Sequence, residues 1–425
     1  GAAQTNGAPA PRPPGRPTAR SRSGKVQLVY QDWRTDWYLP MAQQMLEEFH
    51  ASHPNIRVFY VPDPENLPDK MLTDMQAGNA ADVFEGPGPD LPIWAQKGYT
   101  LDLRAFVDDL EPGTIADWDP VQYHAFFAPD GRLFGLPKFH GSLALYYNKD
   151  LFDAYGVKYP DDSWDHANYL EAMRRLTDDR DGDNRTDLWG SMLDVAWERI
   201  QVHVNAWGGH LVDPLNPTRC RMAEPAALQA LEWLRARMWD DDVMATPLGV
   251  RKMQPSQTFL AGKVAMIEEG SWALKEILAG SSFRVGVAPF PAGPARRVTL
   301  TTSDGFGIYS GTRYPDAAWE LMKFLVSKAY GRAMARANFL QPARASLVDD
   351  WVADVHNEFP DKARELDVAA FAYGHINGYT VTPEVFADMA EARRLVLAAW
   401  DQILTLGKAP VSSIAGVCQQ IQTAR

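Results

Sequence analysis

Between residues 26 and 84 the chain alternates two kinds of apolar run, and this alternation restricts the fold more than any other feature. Segments 26–30, 56–61 and 82–84 are short and rich in β-branched and aromatic residues, as strands are. Between them, Ala42, Met45, Leu46 and Phe49 share one face of a helix. Met71, Leu72 and Met75 share a face of a second helix, which stops near Gly78. Strand, helix, strand, helix, strand predicts an α/β protein with a parallel sheet and right-handed crossovers. Ligands of such sheets sit outside the carboxyl ends of the strands. Loops 31–37 and 85–90 are therefore candidate ligand loops, and Asp32, Trp33, Asp36, Gly86 and Asp90 are their candidate contacts.

The 425 residues exceed the roughly 250–300 at which a single core stops growing, so two lobes are expected. A net charge of -12 repels a phosphate backbone, and the sequence has no basic stripe, so nucleic acid is excluded as a partner. Hydrophobic residues make up 46%, but no apolar run approaches the ~18 residues of a membrane span. Residues 1–24 hold Pro9, Pro11, Pro13, Pro14 and Pro17 among Arg, Ser, Ala and Gly, the composition of a disordered tether. Cys220 and Cys418 are the only cysteines, too few for a metal cluster or a disulfide scaffold. They either pair or stand as two separately buried thiols.

Residues 131–176 run from Gly-Arg-Leu-Phe-Gly-Leu-Pro through Leu-Ala-Leu-Tyr-Tyr-Asn-Lys-Asp-Leu-Phe to Ser-Trp-Asp-His-Ala-Asn-Tyr-Leu. The pattern predicts a buried strand, a short helix and an amphipathic helix. Ser163 is the expected cap of the last, and Ala167, Leu170, Met173 and Leu176 its apolar face. In this order the segment closely resembles the extracellular solute-binding proteins of carbohydrate ABC importers, maltose-binding-protein-like members included. Ala81-Asp82-Val83-Phe84, the block from Phe259 to Trp272, and segment 285–325 agree with that family in the same order.

The resemblance implies a two-lobe periplasmic-binding-protein fold. Each lobe would be a mainly parallel sheet flanked by helices, with the ligand cleft between lobes. Lobe one is expected to be residues 25–138 plus 300–343, and lobe two 139–299 plus 344–425. It also implies export, so the site of action is extracytoplasmic, and a disulfide is permitted there. Many relatives are lipoproteins, so the tether would join the protein to a lipid anchor.

A pyranose presents an apolar C–H face and an edge of hydroxyls, so a sugar site combines flat aromatics with charged or amide hydrogen-bonding groups. The 14 Trp residues exceed what a core of this size needs. Glu269-Gly270-Ser271-Trp272 follows a strand at 264–267, and Ser271 is placed to cap a helix beginning at Trp272. By resemblance Trp272 is a sugar-stacking platform, with Glu269 beside it. Asp304 and Gly305 match a family motif that brings an acid and a glycine backbone to the ligand, though Asp-Gly also suits a simple turn. Trp197 and Glu198 begin an expected helix that ends at Trp207 and Gly208, and Trp197 suits a core equally well. Arg344 is similar to a family arginine that reaches the cleft. His140 stands where many relatives carry an aromatic and an acidic residue, in a Lys138-Phe139-His140 run.

Asp179, Asp181, Asp183 and Asp187 occupy positions one, three, five and nine of a loop in which Arg185 offers a backbone carbonyl at seven. This is the oxygen-rich pattern of a calcium loop, with Asn184 taking the left-handed turn at six. Position twelve is Gly190, so a bidentate ligand would come from elsewhere. A structural calcium is expected there, with a solvated acidic turn as the alternative, and no catalytic cofactor.

These readings converge on a monomeric binding protein, not an enzyme. It would capture a mono- or oligosaccharide with high affinity and deliver it to ABC permease subunits, touching the membrane only through the lipid anchor. Two alternatives stand beside it. The same fold binds other solutes, such as a polyamine or a glycerol phosphodiester. A carbohydrate-active enzyme could draw two carboxylates from Glu268, Glu269 and Asp304, although no nucleophile motif accompanies them.

Overall fold

The computed structural model describes residues 24–424. Apart from Gly24, the expected tether lies outside the described residues. The chain divides into two compact units. Lobe one runs through His140 and resumes at Thr302–Leu347; lobe two is Gly141–Thr301 with Val348 onward. Each boundary thus lies a few residues beyond the expected one.

Lobe one opens with β1 (Val26–Asp32), α1 (Tyr38–Ser52), β2 (Ile56–Pro62), α2 (Leu67–Ala77) and β3 (Val83–Gly86). Helix α1 buries Ala42, Met45, Leu46 and Phe49 on the predicted face, and α2 stops at Gly78 in a left-handed conformation, φ 76°. β1 pairs in parallel with both β2 and β3. The sheet then continues antiparallel through strand Gly305–Ile308 to strand Leu136–Pro137. Both faces are covered: the core holds Leu28, Tyr30, Phe49, Val83, Phe84, Trp94, Phe306, Leu321 and Tyr330, all almost fully buried.

Lobe two is built around strand Leu143–Asn148, buried at every position. Strands Met266–Gly270 and Val285–Ala288 flank it, and both run antiparallel to it. The mainly parallel sheet expected for this lobe is therefore not what its three paired strands form. The reason is topological. The two flanking strands point the same way and are joined through helix Leu274–Gly280, but the earlier strand inserts between them and splits the parallel unit.

Helix His166–Leu176 is capped by Asp165, not Ser163. The Asp165 side chain accepts from the Asn168 N–H, and the Asn168 side chain accepts in return from the Asp165 N–H. The helix buries His166, Tyr169, Ala172, Met173 and Leu176, while Ala167 of the expected face is exposed.

Cys220 and Cys418 are joined in a disulfide within lobe two. No helix among the described residues is long and apolar enough to cross a membrane.

Candidate functional site

In lobe one the polar groups gather where the strands end. Asp32, the last residue of β1, is fully buried and accepts four hydrogen bonds. The donors are the Tyr30 hydroxyl, the Tyr38 hydroxyl at 2.9 Å, the Trp33 N–H at 2.7 Å and the Lys138 ammonium at 2.6 Å. Four donors use essentially all the acceptor capacity of a carboxylate. Asp32 therefore acts as the anchor of this edge. Burial, reinforced by the Asp32 charge, holds the Tyr30 and Tyr38 hydroxyls well above the usual tyrosine range.

Lys138 is equally buried, and its ammonium lies 3.3 Å from the centre of the Trp33 ring and 4.3 Å from that of Tyr38. Trp33 meets Trp37 and Phe139 edge to face at 6.0 and 5.4 Å. Asp63, beyond β2, accepts from Gln31 at 3.1 Å, and burial together with the Asp32 charge raises its carboxyl to about 6.

Other predicted residues of lobe one have varied surroundings. Asp304 accepts from the Gly88 N–H at 2.8 Å, which ties the loop after β3 to the strand at 305. Gly86 and Gly305 are packing positions, because a Cβ there would meet Leu91 at 2.8 Å and Phe126 at 2.3 Å. Asp36 is exposed, and Asp90 starts helix Leu91–Gln96. His140 is completely buried, with Nε2 2.8 Å from Asp119 and Nδ1 3.2 Å from the Gln341 amide. Arg344 is also buried, donating to Asp117 at 2.8 Å.

The chain segments at the lobe boundaries are hydrogen-bonded together on this side. His140 donates to Gln341 O, Thr302 donates to His140 O, and the Gln122 amide donates to both Phe139 O and Thr302 O. His140 and Arg344 thus help hold those segments in register.

In lobe two, strand Met266–Gly270 ends in Glu268, Glu269 and Gly270. Glu268 is buried, accepting from the Tyr169 hydroxyl at 2.9 Å and lying 2.5 Å from His203 Nε2. Glu269 pairs with Arg199 at 2.7 Å, and the Tyr146 hydroxyl donates to Gly270 O at 2.8 Å. The Arg199 guanidinium lies 5.4 Å from the Trp272 ring, and the indole stays 37% exposed. Gly270 makes room for it: a Cβ there would come within 2.2 Å of the Trp272 ring. The turn Ser271–Ala273 is a 3-10 turn with no side-chain cap, and the helix proper starts at Leu274. Ser271 thus opens the 3-10 turn and lies three residues ahead of the helix, not directly before it as expected.

Trp197 belongs to the lobe-two core. Its ring packs 5.7 Å from that of Trp400, and its N–H donates to Glu384 O at 2.8 Å. Glu198 pairs with Arg393 at 3.2 Å. Trp207 is half-buried beside His166, and Gly208 adopts φ 87°, which closes helix Trp197–Ala206. The structure thus brings Asp32, Trp33 and Asp304 to one edge of lobe one, and Glu269 and Trp272 to one strand end of lobe two.

Lys138, Glu85 and Arg199 belong to these constellations without having been picked out from the sequence. Glu85 had a signal, an acidic residue closing an otherwise apolar strand. Arg199 follows Glu198 in the first turn of a helix, which is a weaker one.

In the acidic loop, carboxylate oxygens of Asp179, Asp181 and Asp183 lie within 4.8 Å of one another. Gly182 and Asn184 take positive φ of 77° and 65°. Asp187 is bonded instead by the backbone and side chain of Arg180. Gly190 is pressed against the Met173 backbone, where a Cβ would sit at 2.4 Å, so position twelve has no room for a carboxylate. Three of the five expected ligands therefore converge, and the donor set is all oxygen, as a hard cation requires.

Two lobes linked by three chain crossings, with aromatic and charged groups at strand ends, define a solute-binding class of fold. The chain belongs to the bacterial extracellular solute-binding protein family, whose profile matches residues 35–332. A putative binding protein of Brucella abortus is 26% identical over 310 residues, 71% of each chain. The diacetylchitobiose binding protein DasA of Streptomyces coelicolor is 23% identical over 329 residues, 74% of this chain and 71% of its own. Among solved structures, the ABC substrate-binding protein Lmo0181 from Listeria monocytogenes in complex with cycloalternan superposes with a TM-score of 0.77. It is 21% identical, and the match covers 93% of this chain and 98% of that one. The family and these relatives are binding proteins, and the family is extracellular.

Proposed function

We propose that this protein captures a mono- or oligosaccharide outside the cytoplasm and delivers it to the permease of an ABC importer. The observation that carries the reading is Trp272, a part-exposed indole seated over Gly270 beside the Arg199–Glu269 pair. A flat apolar surface next to charge-assisted hydrogen-bonding groups is what a pyranose needs. Named relatives that bind diacetylchitobiose and cycloalternan support the same class of solute. Binding without catalysis fits the carboxylates, since Glu268 is engaged by Tyr169 and His203, and Glu269 by Arg199. A monomer tethered by a lipid anchor ahead of the folded part completes the reading.

The test is a thermal-shift and Trp-fluorescence screen over maltotriose, maltotetraose, a cyclodextrin and diacetylchitobiose. A sugar that binds only the folded chain at a hundredfold its Kd stabilises it by about 2.7 kcal/mol. Trp272→Ala is expected to weaken capture at least tenfold with an unchanged melting temperature, because the side chain is part-exposed. An unchanged Kd removes Trp272 from the site, and appearance of hydrolysis products replaces capture with catalysis.

The acidic loop is assigned a structural calcium held by Asp179, Asp181, Asp183 and the Arg185 carbonyl, with Asp187 joining only by releasing Arg180. The convergence of three carboxylates supports this. Calcium should raise the melting temperature, EDTA should reverse the rise, and Asp181→Asn should abolish it. Equal melting in calcium and EDTA leaves the loop an acidic turn.

A further inference from the structure

Glu85 is buried at the end of β3, and its position is unusual. Gln31 is registered against Phe84, so Glu85 stands beside Asp32 and on the same face of the sheet. Phe306 is registered against both Glu85 and Leu136, and strand alternation carries Asp304 and Lys138 to that face as well. All four lie at the edge formed by the carboxyl ends of β1 and β3, where ligands of α/β sheets bind.

Asp32 and Lys138 satisfy each other there, and Asp304 accepts from Gly88. Glu85 differs: it is fully buried, and neither carboxyl oxygen has a hydrogen-bond partner. Burial drives its carboxyl well above the ordinary range; Lys138 opposes this, while Asp304, Asp32 and Asp63 add to it. An unmatched buried carboxyl costs stability that an apolar residue of similar size does not. Such a residue at a ligand-binding edge calls for a partner from outside the fold. A carboxyl accepts from a hydroxyl through its oxygens and, when protonated, donates to one as well. A hydroxyl group needs both.

We propose that Glu85, with Lys138 beside it, is a specificity-determining residue of lobe one that hydrogen-bonds a hydroxyl of the captured saccharide. This rests on the sugar reading above. It predicts opposite effects on stability and on binding, which a purely structural role does not.

The full chain, Glu85→Leu and Glu85→Gln are compared by thermal melting and by titration with the four saccharides of the panel. Glu85→Leu should melt at a higher temperature than the unaltered chain and bind its saccharide at least tenfold more weakly. Glu85→Gln keeps a carbonyl acceptor and should lose less. Unchanged affinity in Glu85→Leu overturns the proposal whatever its melting temperature, and if that variant does not fold, Glu85→Gln is judged by the same criterion. If no saccharide binds the unaltered chain, the sugar reading fails separately. The melting comparison then decides alone: a rise keeps Glu85 as a ligand-awaiting group, and a fall removes it.

Discussion

Lys138→Met is expected to lower the unfolding free energy of lobe one by about 3–5 kcal/mol, because it leaves Asp32 a buried carboxylate without its counter-charge. The two side chains are fully buried and 2.6 Å apart. Three further donors, the Tyr30 and Tyr38 hydroxyls and the Trp33 N–H, would remain on Asp32 and soften the loss. The ammonium also fills the space against the Trp33 ring, and methionine replaces that contact with a thioether of similar length.

Removing both charges separates the two contributions. In Lys138→Met with Asp32→Asn, the uncompensated charge is gone and most of the deficit should return, since a buried ion pair is worth little against a neutral replacement. Denaturant unfolding of the four members of the cycle measures the coupling. A coupling energy under about 1 kcal/mol would mean that the pair behaves like an exposed one, and the anchoring role of Asp32 would have to be abandoned.

This pair also shows where sequence reasoning reaches its limit. Strands β1 to β3 and their helices follow from local periodicity, and Asp32 was marked because a strand end is visible in the sequence. Lys138 was not, because it reaches Asp32 only after strand Leu136–Pro137 pairs with strand Gly305–Ile308, a contact between segments far apart in the chain. A lysine in a Leu-Pro-Lys-Phe run reads as solvated until that pairing places it inside. The antiparallel sheet of lobe two was hidden for the same reason. Its central strand precedes both neighbours by more than a hundred residues, so no local strand–helix–strand pattern announces it.

Side-chain competition accounts for the remaining differences. Ser163 and Asp165 are both good caps, and the reciprocal bond available from Asn168 selects Asp165. Trp272 and Trp197 look alike in the sequence, each in the first turn of a helix. Gly270 leaves room for the first to stay part-exposed, whereas Trp400 and Phe386 enclose the second.

Replacing Cys220 and Cys418 together by serine should have the other large effect, a loss of about 2–4 kcal/mol confined to lobe two. The bond spans 198 residues of sequence. In the chain-entropy account, releasing a loop of that length returns roughly 5 kcal/mol of freedom to the unfolded state, an upper figure because measured losses usually fall short. Locally the bond ties strand Asn216–Cys220, exposed along all but its last residue, to helix Ile414–Thr423. Apart from the bond, the Cys220 N–H donates to the Gln422 side chain at 3.0 Å. Ile414 is buried and Val417 and Ile421 pack against the lobe-two core, but most other residues of the helix are exposed, so the disulfide is its one covalent tie to the strand. Hydrogen exchange should therefore show the helix at 414–423 losing protection first in the double variant. Lobe one should keep its own, since its core lies wholly in the other unit. Equal protection of 414–423 in both proteins would show that packing, not the covalent link, fixes this helix.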